Sequence, residues 1–180
     1  VSIYKKKRFQ SELVPLLIGC AIFPILAFSG VGADIFKAPM IHDITTDTDN
    51  PPVFIFIQPD DGYRVNSLVY PGAEVSVQQK LAYPDIQTFI TSLPPRQVYQ
   101  KAIFVSSLLG WEIIAKDLPS FRFEAVTRTP LFGFVDDIAV RITPIGAEGS
   151  AVDVRSMSRV GISDLGTNAK RIRRFLGELE

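Results

Sequence analysis

The stretch VDVRSMSRVGISDLGTNAKRI, running from Val152 to Ile172, decides the fold. Its first half alternates apolar and polar residues, the period of a strand with one buried face. Its second half opens SDLGTNAKRIRRFLGELE, in which Leu165, Ile172, Phe175, Leu176 and Leu179 read as the inward residues of a helix capped by Ser163 or Asp164. Asp153, Arg155, Arg159, Asp164 and Arg171 crowd this strand-to-helix junction. Where those charges go separates a solvated face from a site.

Working outward, FVDDIAVRITP (Phe134–Pro144) alternates in the same way, and IGAEGS (Ile145–Ser150) supplies the glycines of a hairpin turn. With the turn centred near Ala147, residues whose numbers sum to about 294 face each other across the hairpin. Arg141 then opposes Asp153, and Asp137 lies near Met157 and diagonal to Arg155 and Arg159. Ile138, Val140, Ile142, Val152 and Val154 form the core side, while Asp137, Arg141, Asp153, Arg155 and Arg159 share the opposite face. Exposed cross-strand ion pairs contribute about 0–1 kcal/mol each, a weak reason for so many. If loops cover that face, the pairs become a buried network that fixes register and is costly to break.

Upstream, PPRQVYQKAIFVSSLLGWEI places Val98, Ala102, Val105 and Leu109 at helical spacing between Pro94, Pro95 and Gly110. WEIIAKD and FRFEAVTRT read as strands, the second with Phe121, Phe123 and Ala125 on one face and Arg122 and Glu124 on the other. The order helix, four strands, helix predicts an α+β domain: an antiparallel sheet of about four strands with helices on one face. Residues 38–94 read as an extended linker, APMIHDITTDTDNPP, followed by a Gly- and Pro-broken wrapping segment with little regular structure. The expected division is therefore 1–37, 38–94 and 95–180.

Residues 1–37 carry Lys5, Lys6, Lys7 and Arg8 ahead of LVPLLIGCAIFPILAFSGVGA, an uncharged run from Leu13 to Ala33. Its length matches the roughly 20 residues that cross a bilayer as a helix. The basic cluster would hold the N-terminus in the cytoplasm. The reading is a single-pass inner-membrane anchor with the folded domain in the periplasm. The rival is an export signal cleaved near Ala33. A lipidated Cys20 within LIGC fits poorly, because a long apolar run follows it. Pro15 and Pro24 are tolerated better in a membrane helix than in a soluble one.

In 180 residues, 19 Lys and Arg balance 19 Asp and Glu, so no global field points to nucleic acid. One cysteine and one histidine exclude a disulfide framework and a zinc centre built from several such residues of this chain. Asp43, Asp47 and Asp49 lack the glycine and closing glutamate of a calcium loop and read as turn-capping residues. His42 reads as structural, and Trp111 as core. No cofactor, metal or catalytic residue is expected. On the last helix Asp164, Asn168 and Arg171 form a polar stripe, with Arg155 and Arg159 expected at its N-terminal end. That arrangement reads first as an internal network and second as an anion site at a helix N-terminus. Lys170, Arg171, Arg173 and Arg174 make a basic cluster on the same helix.

GWEI, FVDDIAVRI, the stretch from Val152 to Ile172, IHDITTDTDNPP and AYPDI together resemble the bacterial and plastid family known as domain of unknown function 1499, from about Pro39 to Leu179. The resemblance matches an aspartate pair to Asp136 and Asp137. It matches an arginine-serine-x-serine-arginine phrase to Arg155, Ser156, Ser158 and Arg159, and later positions to Gly161, Asp164 and Asn168. It implies a fold and an exported or membrane-attached compartment but brings no reaction. Two functions follow. The first is a non-catalytic, membrane-anchored accessory or interaction subunit within a larger membrane protein complex. The alternative is a domain binding a small anion or lipid, or a hydrolase-like enzyme using Asp136, Asp137 and Asp164 with Arg155 and Arg159. The candidate polar cluster is thus Asp136, Asp137, Arg155, Ser156, Ser158, Arg159, Asp164, Asn168 and Arg171. The first function is preferred, since no nucleophile motif, cofactor loop or metal cluster supports an enzyme.

Overall fold

In chain order the elements are β1 (Asp43–Thr45), α1 (Ala73–Ala82), β2 (Phe89–Thr91), α2 (Pro95–Leu108), β3 (Glu112–Asp117), β4 (Arg122–Arg128), β5 (Val135–Ile145), β6 (Gly149–Ser158) and α3 (Thr167–Gly177). This is a computed structural model, and it describes residues 38–129, 133–146 and 148–180. The predicted hairpin is β5 and β6, and its register is the one the alternation gives, with Arg141 opposite Asp153 and Asp137 opposite Met157. β4 and β3 extend the antiparallel sheet beyond β5.

The sheet has six strands rather than about four. The two additional strands come from the region read as lacking regular structure. β1 and β2 both pair antiparallel with the free edge of β6, β1 at Arg155–Met157 and β2 at Ser150–Val152. Each is three residues long, too short for a period of two to register in sequence. Helix α1 escapes the same test because the residues it buries are Ser76 and Gln79 rather than an apolar stripe.

Gln79 is buried because it completes the edge of the sheet. Its Oε1 accepts the Thr45 N–H at 3.0 Å and its Nε2 donates to the Thr45 carbonyl at 2.6 Å, so one side chain does for β1 what a further strand would do. Where β1 and β2 meet on β6, the hydroxyls of Thr46 and Thr88 both donate to Asp153 Oδ1, at 3.0 and 2.6 Å. Asp153 thereby holds the ends of the two short strands together.

On the inner face α2 buries Val98, Ala102 and Val105, as its spacing predicts, together with Tyr99, while Leu109, expected with them, is half-buried just past the end of the helix; α3 buries Ala169, Ile172 and Phe175. They pack on Phe123, Ala125, Ile138, Val140, Ile142, Val152 and Val154. Tyr99 sets its ring edge-on to Phe123 at 6.0 Å, and Trp111 stacks on Phe175 at 4.8 Å. Burial of each such Ile, Val or Phe side chain stabilises by about 1.5–3 kcal/mol. Leu165, expected inward, is 52% exposed. The helix begins only at Thr167, and Leu165 stands in the preceding turn with φ +53°.

The basic segment and apolar run at 1–37 lie outside the described residues. Among the described residues no helix is long and apolar enough to cross a membrane. Gln79→Leu keeps the side-chain bulk but leaves a buried N–H and carbonyl of Thr45 unpaired, and it should cost about 2–4 kcal/mol in urea unfolding. Wild-type stability of that variant would show that α1 does not hold the sheet edge.

Candidate functional site

Strand alternation divides the candidate residues between the two faces of the sheet. On the outer face Arg155 is the largest fully buried side chain, 1% exposed. Its Nε and Nη2 donate to the two carboxylate oxygens of Asp43 at 3.0 and 2.7 Å. Nη2 also donates to the Leu68 carbonyl at 2.9 Å, and Nη1 to the Pro52 carbonyl at 3.3 Å. The rings of Phe54 and Tyr70 lie 4.9 and 5.5 Å from the guanidinium carbon. Burial, and then the neighbouring Asp43 charge, push the Tyr70 hydroxyl up to about 12. An isolated buried guanidinium would be prohibitive, so this one is paired, solvated by carbonyls and stacked on aromatic rings.

Asp43 belongs to β1, and the other partners belong to the segment between β1 and α1, which lies across the outer face and converts the predicted surface pairs into a covered network. Arg159 donates through Nε and Nη2 to Asp137 Oδ1, at 2.9 and 2.7 Å, and through Nη1 to the Asp61 carbonyl. Arg64 meets the other carboxylate oxygen of Asp137 as an ion pair at 2.7 Å, without hydrogen-bond alignment. Gly62, at φ +74°, lets the chain close here, since a Cβ would meet Arg159 Nη1 at 3.0 Å. Arg141 bridges Asp47 and Asp153, each at 2.9 Å.

Glu124, which strand alternation places with Arg122 on the face opposite Phe123, is 2% exposed. Its carboxylate accepts the successive N–H groups of Ile55, Phe56 and Ile57, the outer two at 2.5 and 2.7 Å. A carboxylate in a nest of backbone N–H groups is an internal version of an anion site.

The inner-face group sits between β5, β6 and α3. Arg171 Nη2 donates to Asp136 Oδ2 at 2.5 Å, and its Nη1 donates to Ser156 Oγ at 2.9 Å and to the side-chain Oδ1 of Asn168. Ser156 Oγ donates to Asn168 Oδ1 at 2.7 Å, while Asn168 Nδ2 donates to Ser158 Oγ and to the His42 carbonyl, both at 3.1 Å. Asp164 caps α3 from outside the helix, its two oxygens accepting the N–H groups of Gly166 and Asn168 at 2.9 and 2.8 Å. Burial pushes its carboxyl above the ordinary aspartate range, against the opposing pull of those two donors.

Asp136, Ser156, Ser158, Asp164, Asn168 and Arg171 are thus brought together on the helix side, and Asp137, Arg155 and Arg159 on the other. Arg155 and Arg159 do not reach the N-terminal end of α3. The odd-numbered position of Arg155 on β6, and that of Arg159 just past its end, turn them to the other face, and Arg171 is the guanidinium that serves there. Asp136 and Asp137, adjacent in sequence, point to opposite faces for the same reason. Asp47 Oδ1 accepts the N–H groups of Asp49 and Asn50, the turn-capping role read for it. Among the described residues no set of three or more His, Cys, Asp or Glu side chains is gathered as metal ligands.

A family model for a protein of unknown function, DUF1499, matches residues 43–179. The chain belongs to DUF1499. No curated protein matches it. The matched span of this DUF1499 domain begins at Asp43, the partner of Arg155, and takes in the whole six-stranded sheet and α3. The residues missed in sequence, Glu124, Arg64 and Gln79, are polar side chains whose burial depends on long-range coverage. The one available signal was the apolar run PVFIFIQP, which needs a surface to lie on.

Removing either member of the Asp43 and Arg155 pair leaves a buried charge without its counterion, so Arg155→Met and Asp43→Leu should each cost about 3–5 kcal/mol. The double variant should lose at least about 2 kcal/mol less than the sum in a urea-unfolding cycle. Additive losses would mean the two side chains are not coupled.

Proposed function

We propose that this DUF1499 domain is a non-catalytic module, anchored by the Leu13–Ala33 run at the outer face of a bacterial inner membrane, where it serves as an accessory or interaction subunit of a membrane protein assembly. The observation that carries the non-catalytic part is the engagement of its acidic groups. Asp43, Asp137 and Asp153 meet guanidinium groups on one face of the sheet, Asp136 meets Arg171 on the other, and Glu124 is enclosed by backbone N–H groups. An acid–base pair needs two titratable groups converging on one open space. Asp136 and Asp137 diverge instead, which is why the hydrolase-like alternative has less support.

The anchoring part rests on the order of the N-terminal sequence, four consecutive cations and then an uncharged apolar run. The test is alkaline extraction of membranes containing the tagged full-length chain, then mild-detergent purification and mass spectrometry of its N-terminal peptides and partners. Retention in the membrane pellet, an intact Leu13–Ala33 segment and a membrane protein co-purifying in constant ratio are the expected results. A soluble chain beginning at Asp34 and running alone would overturn the proposal.

A further inference from the structure

Beside the polar and apolar stripes of α3 runs a third face, Thr167, Lys170 and Arg174, which Arg171 of the polar stripe borders, at spacings of three and four residues. That face lines one side of a cavity of about 390 Å³ whose other walls are the end of β4 and the chain entering β3. Arg128 adds a fourth cation from β4, and among the described residues no carboxylate lines the space. Arg171 is neutralised by Asp136, but Arg128, Lys170 and Arg174 form no ion pair among the described residues. In a chain with equal numbers of cations and anions, three unpaired cations around one cavity are a local excess. Other cavities mix the signs: one holds Lys80 with Asp47 and Asp49, another Arg173 with Asp85 and Glu180.

The cavity also has apolar walls. Leu109 and Trp111 line it, and Trp111 is held rigidly by its stack on Phe175. Cations on one side and apolar surface on the other match a ligand with a compact anionic head and an apolar group. Three uncompensated positive charges suit a doubly charged head better than a singly charged one. The volume lies in the range of small-molecule sites.

We infer that this groove binds an amphiphilic phosphate monoester, its phosphate held by Arg128, Lys170 and Arg174 and its apolar group lying on Leu109 and Trp111. The phosphate head could belong to a membrane lipid or to a soluble ester, and the chemistry recognised is the same. The inference does not depend on membrane anchoring.

The protein carries a single tryptophan, Trp111, so its fluorescence reports on this groove alone. The full-length chain, reconstituted in phosphatidylcholine vesicles, is titrated with hexyl phosphate, with inorganic phosphate and with phosphatidic acid added to the vesicles. Saturable change with hexyl phosphate is expected, weakened at least ~10-fold in the Lys170→Glu/Arg174→Glu double variant by loss of two charge-assisted contacts. Those two side chains are exposed and form no ion pair among the described residues, so the fold should survive, and Arg96→Glu/Lys116→Glu, outside the groove, makes the same change in net charge and should bind like the wild type. A parallel response to phosphatidic acid identifies a lipid headgroup as the source, and a response to hexyl phosphate alone identifies a soluble ester. Absence of a hexyl phosphate response, equal affinity for inorganic phosphate, or unchanged binding by the double variant would each overturn the inference.

Discussion

Arg155 is a charged side chain of the largest kind placed where solvent cannot reach it, on a face of a sheet that strand alternation alone would leave to water. Desolvating a guanidinium costs several kcal/mol unless counterion, acceptors and packing all replace the lost hydration. Each replacement is drawn from a different part of the chain. Asp43 is available only if β1 docks on the edge of β6. The carbonyls of Pro52 and Leu68 and the rings of Phe54 and Tyr70 are available only if residues 50–70 lie across the sheet. The same segment is held at its middle by Glu124 and near Asp61 by Arg159. One buried charge thus requires the edge strand and the covering segment to be placed together.

The second consequence concerns the sheet as a platform. β5 and β6 carry polar networks on both faces, one under the covering segment and one under α3, while their middle positions on the inner face remain apolar. Side chains locked on both faces fix the register of the hairpin, since a slip of one residue would carry Asp137 and Arg155 into the apolar core and Ile138 and Val154 out of it. α3 is held by Asp164 at its start, Asn168 and Arg171 along its polar stripe, and Ile172 and Phe175 along its apolar one. With those stripes engaged, the basic stripe beside Trp111 is presented from a rigid element, which is the condition for a groove to recognise a ligand rather than merely attract it.

Much of this was legible in the sequence, for physical reasons. The long strands and α2 announce themselves because each exposes a regular period to one apolar core, and the pairing of Arg141 with Asp153 follows from counting across a turn. β1 and β2 did not, since three residues hold no measurable period. Glu124 and Gln79 were unreadable for a different reason: a polar residue in an alternating strand, or on a helix with no apolar stripe, looks solvated until the segment that covers it is in place. The same limit led to one polar cluster being drawn where there are two. Charge spacing near Arg155 and Asn168 is apparent in one dimension, whereas the face each occupies depends on the parity of β6.

The most direct test of this account is native-state hydrogen exchange at the amides of Ile55, Phe56 and Ile57. These amides sit in a segment without regular structure, so ordinary loop behaviour would leave them exchanging freely. If Glu124 and Arg155 fix that segment to the sheet, the three amides should be protected to nearly the level of the β5 and β6 ladder. Exchange at the rate of an unprotected loop would contradict the claim that buried charge holds the outer face closed.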